Sequence, residues 1–379
     1  MKILVTAEQF GYGPIATCLN VIKELKKYPN IELTFMGTGI ALEQAIMSNY
    51  FDKIIECKTY DIKELEQKKE EFYKYDVILS SENIPGAIYA LKLGLKNVYY
   101  MDNLMWMWDK LEDGLENLKG YIISEIIPCR KNFARIGKKI KNPVFVGPIR
   151  DISLNKSLNK VMNKLIINIG GAEAFIIDSK IVIEFYNKLI NEVLSVNELI
   201  KKFDKIIICG GSGVINNLKI DSPNDKIFLK TLSNEEYLNE LDSCSHCIMA
   251  SGLGNFVETI WRNKNILYLP PVNYSQLLQL DYYKKMNLGF EIINWDSFEF
   301  YKEVPSLLNE ETGVNLVIDN VKKYLDLQDS LTISNKVKKF INTDQNNYYK
   351  NRIKYTEKLK ENGSKEIAEL IFSQNMKGE

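Results

Sequence analysis

The feature that most constrains this chain is an alternation of short apolar runs with helical stretches, begun at residue 3 and restarted near residue 164. Ile3-Leu4-Val5 leads into the turn Phe10-Gly11-Tyr12-Gly13-Pro14. Ile15, Cys18, Leu19, Ile22 and Leu25 then recur at helical spacing. Further strands are expected at 31–36, 53–56, 76–80, 97–101 and 144–146. A charged helix is expected over 61–75, and another from Pro85, a residue suited to a first helical position. Strands that recur every ~25–30 residues with helices between them build a parallel, doubly wound α/β sheet.

The alternation stops at Val144-Phe145-Val146-Gly147-Pro148 and gives way to a stretch rich in Asn, Lys and Ser, residues 149–163, which reads as a linker. It resumes with strands at 164–169, 205–209, 226–229, 247–250 and 265–269. A length of 379 residues fits two domains at about 150 residues each. The expected organisation is a Rossmann-like domain over 1–148, the linker, a second Rossmann-like domain over 164–350, and a C-terminal helical segment over 351–379 able to pack back on the first domain. Within that tail Ser364 is the expected N-cap.

Composition narrows the function. Lys plus Arg and Asp plus Glu both number 49, so there is no basic excess of the kind a general nucleic-acid binder uses against phosphates. No apolar run approaches the ~20 residues needed to cross a bilayer. The start lacks the ~7–15 apolar residues of a signal peptide, and a cytoplasmic protein is expected. Six scattered cysteines do not suggest a disulfide framework. Cys244 and Cys247 enclose the single histidine, His246. With no second Cys/His cluster to complete four zinc ligands, they read as small residues at a strand start. No two Asp residues stand one position apart, so a D-x-D metal motif is absent.

The chemistry concentrates at strand ends, where open α/β sheets bind ligands. Glycines stand there at 170–171, 210–211, 213, 252 and 254. A glycine turn before a helix lets backbone N–H groups approach a phosphate, and the helix dipole favours its charge. The richest segment is Ser251-Gly252-Leu253-Gly254-Asn255, then Glu258, Pro270-Pro271, Gln276 and Gln279. Its turn can take a diphosphate on Gly252, Gly254 and Asn255. Glu258, one helical turn on, can accept hydrogen bonds from ribose hydroxyls. Gln276 and Gln279, three apart on one helix face, can bind sugar hydroxyls without a metal.

This segment resembles the donor-binding signature of GT-B glycosyltransferases, nearest to the peptidoglycan N-acetylglucosaminyltransferase and UDP-glycosyltransferase groups. Ser251-Gly252, Glu258, Pro270 and Ser275-Gln276 match its spacing. Gly170-Gly171 resembles the turn that opens that family's donor domain. Gly211-Ser212, within 210–213, resembles the next turn. Leu229, within Phe228 to Leu232, falls where the family holds the nucleotide base, and 363–368 resembles its closing helix. The resemblance covers most of 144–375. It implies two Rossmann-like domains facing across a cleft, and an inverting, metal-independent transfer from a nucleotide sugar, UDP-linked, with no cofactor. The acceptor, a small molecule or a lipid, is not named by it. The alternatives are a nucleotide-sugar hydrolase and a non-catalytic binding homologue.

The N-terminal half resembles the family in layout only. The family often carries Gly-His-x-x-Pro in its first turn, with His as base; here Gly11-Tyr12-Gly13 precedes Pro14 and no His is present. Three carboxylates at strand ends can replace it as general base: Glu8, favoured because it lies in that first loop, then Asp102, then Glu82. Trp106 and Trp108 follow Asp102 and, with Gly11, Tyr12 and Gly13, are the candidate acceptor-binding residues.

Overall fold

A computed structural model describes residues 1–151, 163–172, 177–328, 331–359 and 362–375, and every count below is of these residues. The chain forms two compact units. Unit 1 is Met1–Ile152 with Leu359–Glu379, and unit 2 is Ser153–Lys358.

Unit 1 is a seven-stranded sheet of β1 (Lys2–Ala7), β2 (Glu32–Gly37), β3 (Lys53–Glu56), β4 (Val77–Ser81), β5 (Val98–Asp102), β6 (Gly120–Ser124) and β7 (Pro143–Val146). The strands are parallel, in the order β3-β2-β1-β4-β5-β6-β7. Val5 lies opposite Phe35 of β2 and Leu79 of β4. Alternate residues feed two cores, as the period of two in a strand requires. Ile3, Val5 and Ala7 pack with Ile15, Cys18 and Leu19 of the helix Gly13–Leu25, whereas Leu4 packs with Ile78 and Tyr100 on the other face. β6 is the strand that periodicity does not reveal. It is short, follows an irregular stretch, and opens on Gly120, where a Cβ would come within 3.0 Å of the Tyr99 ring.

The helix Gly363–Asn375 completes the first of these cores with Ile367, Ala368 and Ile371. It begins at Gly363, so Ser364 is not its N-cap; Asn362 Oδ1 instead accepts from the Ser364 N–H at 3.1 Å. A Cβ at 363 would lie 2.3 Å from the Gly147 carbonyl oxygen, a close approach that requires glycine.

Unit 2 has six parallel strands: β8 (Lys164–Asn168), β9 (Lys205–Cys209), β10 (Ile227–Lys230), β11 (His246–Met249), β12 (Asn265–Tyr268) and β13 (Glu291–Ile292). Their order is β10-β9-β8-β11-β12-β13. β13, two residues long, is too short for any sequence period to show. The helix Tyr349–Thr356 stays with this unit. Its buried Arg352 donates to the carbonyls of Leu288 and Lys264 and to Gln345.

Most of the expected linker, residues 152–162, lies outside the described residues. Ile149 and Arg150 do not behave as linker: both are buried in unit 1, at 0% and 2% exposure. All six cysteines are free and buried. His246 lies between the rings of Phe203 and Phe340, and burial pushes its imidazole down to about 4.

Candidate functional site

In each unit the strand order reverses between its first strand and its fourth. In open α/β sheets ligands bind at the carboxyl ends of the strands on either side of such a reversal. In unit 1 they are β1 and β4, ending at Glu8 and Glu82. In unit 2 they are β8 and β11, ending at Gly170 and Ser251-Gly252.

Unit 2 brings its glycine turns together. Gly170 has φ +69°, a left-handed conformation that L side chains rarely adopt, and its N–H donates to Asn168 Oδ1 at 2.8 Å. The Gly211 N–H reaches the Gly170 carbonyl at 3.0 Å, beside the half-buried Ser212. Gly171 is buried. Gly252 caps the helix Leu253–Trp261 with no side chain, so the N–H groups of Leu253, Gly254 and Asn255 carry no partner among the described residues. A Cβ at Gly252 would meet nothing within 4 Å, so the space before these N–H groups is open.

The Asn255 side chain is committed elsewhere. Its Oδ1 accepts from Asn168 Nδ2 at 3.1 Å and Tyr237 OH at 3.0 Å, while its Nδ2 donates to the Ala250 carbonyl at 3.0 Å. It braces β8 against the turn, leaving its backbone N–H and the second hydrogen of its Nδ2 without a partner among the described residues. Asn168 and Tyr237, which complete this brace, had no sequence signal: one is a strand's last residue, the other lies in an ordinary amphipathic helix.

Ser251 Oγ donates to the Gln276 carbonyl at 3.1 Å and ties the turn to the helix Tyr274–Lys285. Gln276 uses its Oε1 to accept from the Val272 N–H at 3.1 Å. Gln279 is 3% exposed, and its Oε1 has no partner among the described residues, an acceptor without a donor. Glu258 sits on the helix Leu253–Trp261 at 4% exposure, near the Tyr237 ring. Leu229 is placed apart from this cluster. β10 is the edge strand, separated from β8 by β9, and Leu229 is 37% exposed there, next to the exposed Phe228.

Unit 1 sets side chains where unit 2 sets glycines. Asp102 shows no exposed surface. It accepts from the Leu104 N–H at 2.6 Å, Trp108 Nε1 at 3.2 Å and Tyr121 OH at 2.7 Å. Burial raises its carboxyl, opposed by these bonds. Closed off and saturated, Asp102 braces the tryptophan loop, and this placement removes it from the candidate bases. Trp108 spends its indole N–H on Asp102, and Trp106 spends its own on the Asn103 carbonyl at 3.1 Å. Both indoles are half-buried, so only parts of their rings face solvent. Gly11, Tyr12 and Gly13 are half-buried in the first turn. Gly11 is left-handed at φ +60°, and open space lies where a Cβ at 11 or 13 would go.

Glu8 and Glu82 flank Asn83. Glu8 Oε2 accepts from Asn83 Nδ2 at 3.2 Å and its Oε1 from the Gln9 N–H at 3.1 Å, while burial raises the carboxyl. Glu82 has φ +54°, a strained conformation for a side chain with a Cβ. Its Oε1 accepts from Asn103 twice, at 3.0 Å from Nδ2 and 3.3 Å from the backbone N–H. Its Oε2 has no partner among the described residues. Burial, with Asp102 nearby, pushes this carboxyl up to about 7. Asn103, Thr17 and Arg150 around it escaped sequence reasoning. Arg150 lay in what read as linker, and Thr17 in the polar gaps of an apolar helix face.

No protein-family model matches the sequence, and no curated protein matches it either. Solved structures do match the fold along its whole length. Staphylococcus aureus MnaA with UDP aligns at a TM-score of 0.58 and 12% identity, covering 100% of this chain and 98% of that one. Phytolacca americana UGT2, complexed with UDP-2fluoro-glucose and pterostilbene, aligns at 0.56 and 9%, covering 99% and 100%. Acinetobacter baumannii MurG aligns at 0.50 and 12%, covering 98% and 99%. At such identities the likeness establishes the fold: two Rossmann-like units of the GT-B type.

Proposed function

We propose that this protein transfers a glycosyl group from a nucleotide sugar, UDP-linked, to an acceptor bound by unit 1. The observation that carries the reading is the Ser251 Oγ bond to the Gln276 carbonyl. It holds the open helix start and the glutamine-bearing helix side by side, in the segment whose spacing resembles the donor signature. The diphosphate would lie on the free N–H groups of 253–255, where the helix dipole offsets its charge. Glu258 would take the ribose hydroxyls. Gln279 would gain from a sugar hydroxyl the donor its Oε1 lacks. The structures of MnaA with UDP and of UGT2 with UDP-2fluoro-glucose support the choice of base.

The transfer we infer is inverting and metal-independent. The acceptor oxygen attacks the anomeric carbon and gives its proton to a carboxylate of unit 1. The bond from that carbon to the diphosphate oxygen breaks, and the nucleoside diphosphate leaves as an anion stabilised by the helix start. A thermal-shift panel of UDP, GDP, TDP, CDP and ADP with their common sugar conjugates tests the donor. Ligand binding to the native state raises its melting temperature. A rise confined to uridine nucleotides is the expected result. A rise with another base would change the donor, and no rise with any would overturn the reading.

A further inference from the structure

We propose that Glu82 is the proton-accepting group of unit 1 and that Arg150 is its positioning residue, acting through Thr17 and Asn103. Four segments distant in sequence converge here. Asn103 Nδ2 has two hydrogens, one given to Glu82 Oε1 at 3.0 Å and one to Thr17 Oγ1 at 3.0 Å. Thr17 Oγ1 also accepts from Arg150 Nη1 at 2.8 Å and donates its own hydrogen to the Gly13 carbonyl at 3.0 Å. The chain from guanidinium to carboxylate is therefore continuous, and it fixes the amide. Turned over, Asn103 would set its oxygen against the carboxylate. In the orientation present, Asn103 Oδ1 is buried without a partner among the described residues, a cost the arrangement bears to keep both donors on Glu82 and Thr17.

This leaves one oxygen of Glu82 bound and the other free, at the strand end where the sheet order reverses. Glu8, by contrast, has both oxygens engaged. The titratable groups facing Glu82 are Cys18 of the helix Gly13–Leu25, Asp102 at the end of β5, Tyr121 of β6 and Arg150. Arg150 is the only cation among them. It is 2% exposed and bonded also to the Ile149 carbonyl at 3.2 Å, so its charge is fixed beside the site. Burial drives Glu82 toward the protonated form and Arg150 draws it back. The balance leaves a carboxyl that both takes and releases a proton near neutral pH, as a general base must.

The use made of that proton rests on the transferase reading, but its measurement does not. Full-length protein labelled with 13C at glutamate side-chain carboxyls is titrated by NMR, with Glu82 assigned by the signal lost in Glu82→Gln. The expected midpoint is about 7. Arg150→Met should move it up by about one pH unit, and Arg150→Lys should restore part of that shift. If Arg150→Met does not fold, Thr17→Val cuts the same chain and should move the midpoint in the same direction. A Glu82 midpoint in the ordinary range near 4.5, or one unmoved by the foldable variants, overturns the proposal. A blank nucleotide panel would overturn the transferase reading and leave this titration intact.

Discussion

At the end of β4 the chain turns through a left-handed residue, Glu82 at φ +54°; at the end of β8 it does so through Gly170 at φ +69°. Each turn lies at a reversal of strand order, Glu82 after the fourth strand of its sheet and Gly170 after the first strand of the other. Gly170 takes that conformation without strain, and only backbone is offered to a ligand there. Glu82 takes it at a cost of about 1–2 kcal/mol. The surroundings hold it there, through Asn103 and the Asn103–Thr17–Arg150 chain. One topology thus presents two kinds of strand end at its point of reversal: a left-handed glycine after the first strand in unit 2, and a left-handed carboxylate after the fourth in unit 1. The fold fixes where the strand order reverses, and the residue at each strand end fixes what is offered there.

The contrast breaks most readily on turnover. Glu82→Gln should lower the rate of UDP release about 10²–10⁴-fold, the usual worth of a general base, with UDP affinity unchanged by calorimetry. If Glu8→Gln carries the large loss and Glu82→Gln little, the carboxylate has been misassigned across Asn83. In unit 2 the matching test is Glu258→Ala, which should weaken UDP binding by about 1.5–3 kcal/mol, the scale of a hydrogen bond to a charged group. Unchanged affinity would remove Glu258 from the donor site.

A third test uses pH. The Glu82 carboxyl lies higher in the folded protein than its ordinary 4.5, so the folded state holds the proton more tightly. Its contribution to stability is complete below about 4.5 and is lost as pH rises through about 7. Melting temperatures from pH 5 to 8 should fall less for Glu82→Gln than for the parent, and parallel curves would count against a raised carboxyl. The smallest effect isolates the backbone. At 82, Gly should be more stable than Ala by about 1 kcal/mol, and at 170 Ala should be less stable than Gly by a similar amount. Equal stability of the Gly and Ala forms at 82 would mean that the left-handed turn relaxes.

Much of this was legible in the chain. The strands that read clearly are continuous apolar runs, because strands buried on both faces need no polar alternation. Gly120–Ser124 and Glu291–Ile292 went unread because neither is long enough to show a pattern. The glycine turns read well, since a backbone requirement leaves a residue-type signature. The polar braces did not. The Asn255 oxygen is taken up by Asn168 and Tyr237, and Asp102 is saturated by Leu104, Trp108 and Tyr121, neighbours that for the most part sequence spacing does not bring near. Asn103, Thr17 and Arg150 meet across up to 133 positions of separation, and only the folded chain shows it.

The return of the helix Gly363–Asn375 to unit 1 bears on how the protein is made. Ile367, Ala368 and Ile371 belong to the same core as β1, so unit 1 is built from chain on both sides of unit 2. On the ribosome, residues 153–358 emerge complete while unit 1 still lacks one helix of its core. Folding during synthesis therefore favours the inner unit, and the N-terminal sheet waits with an apolar face uncovered. Removing the helix Gly363–Asn375 alone would spare every residue of the proposed donor segment and leave the sheet of unit 1 as the part that fails.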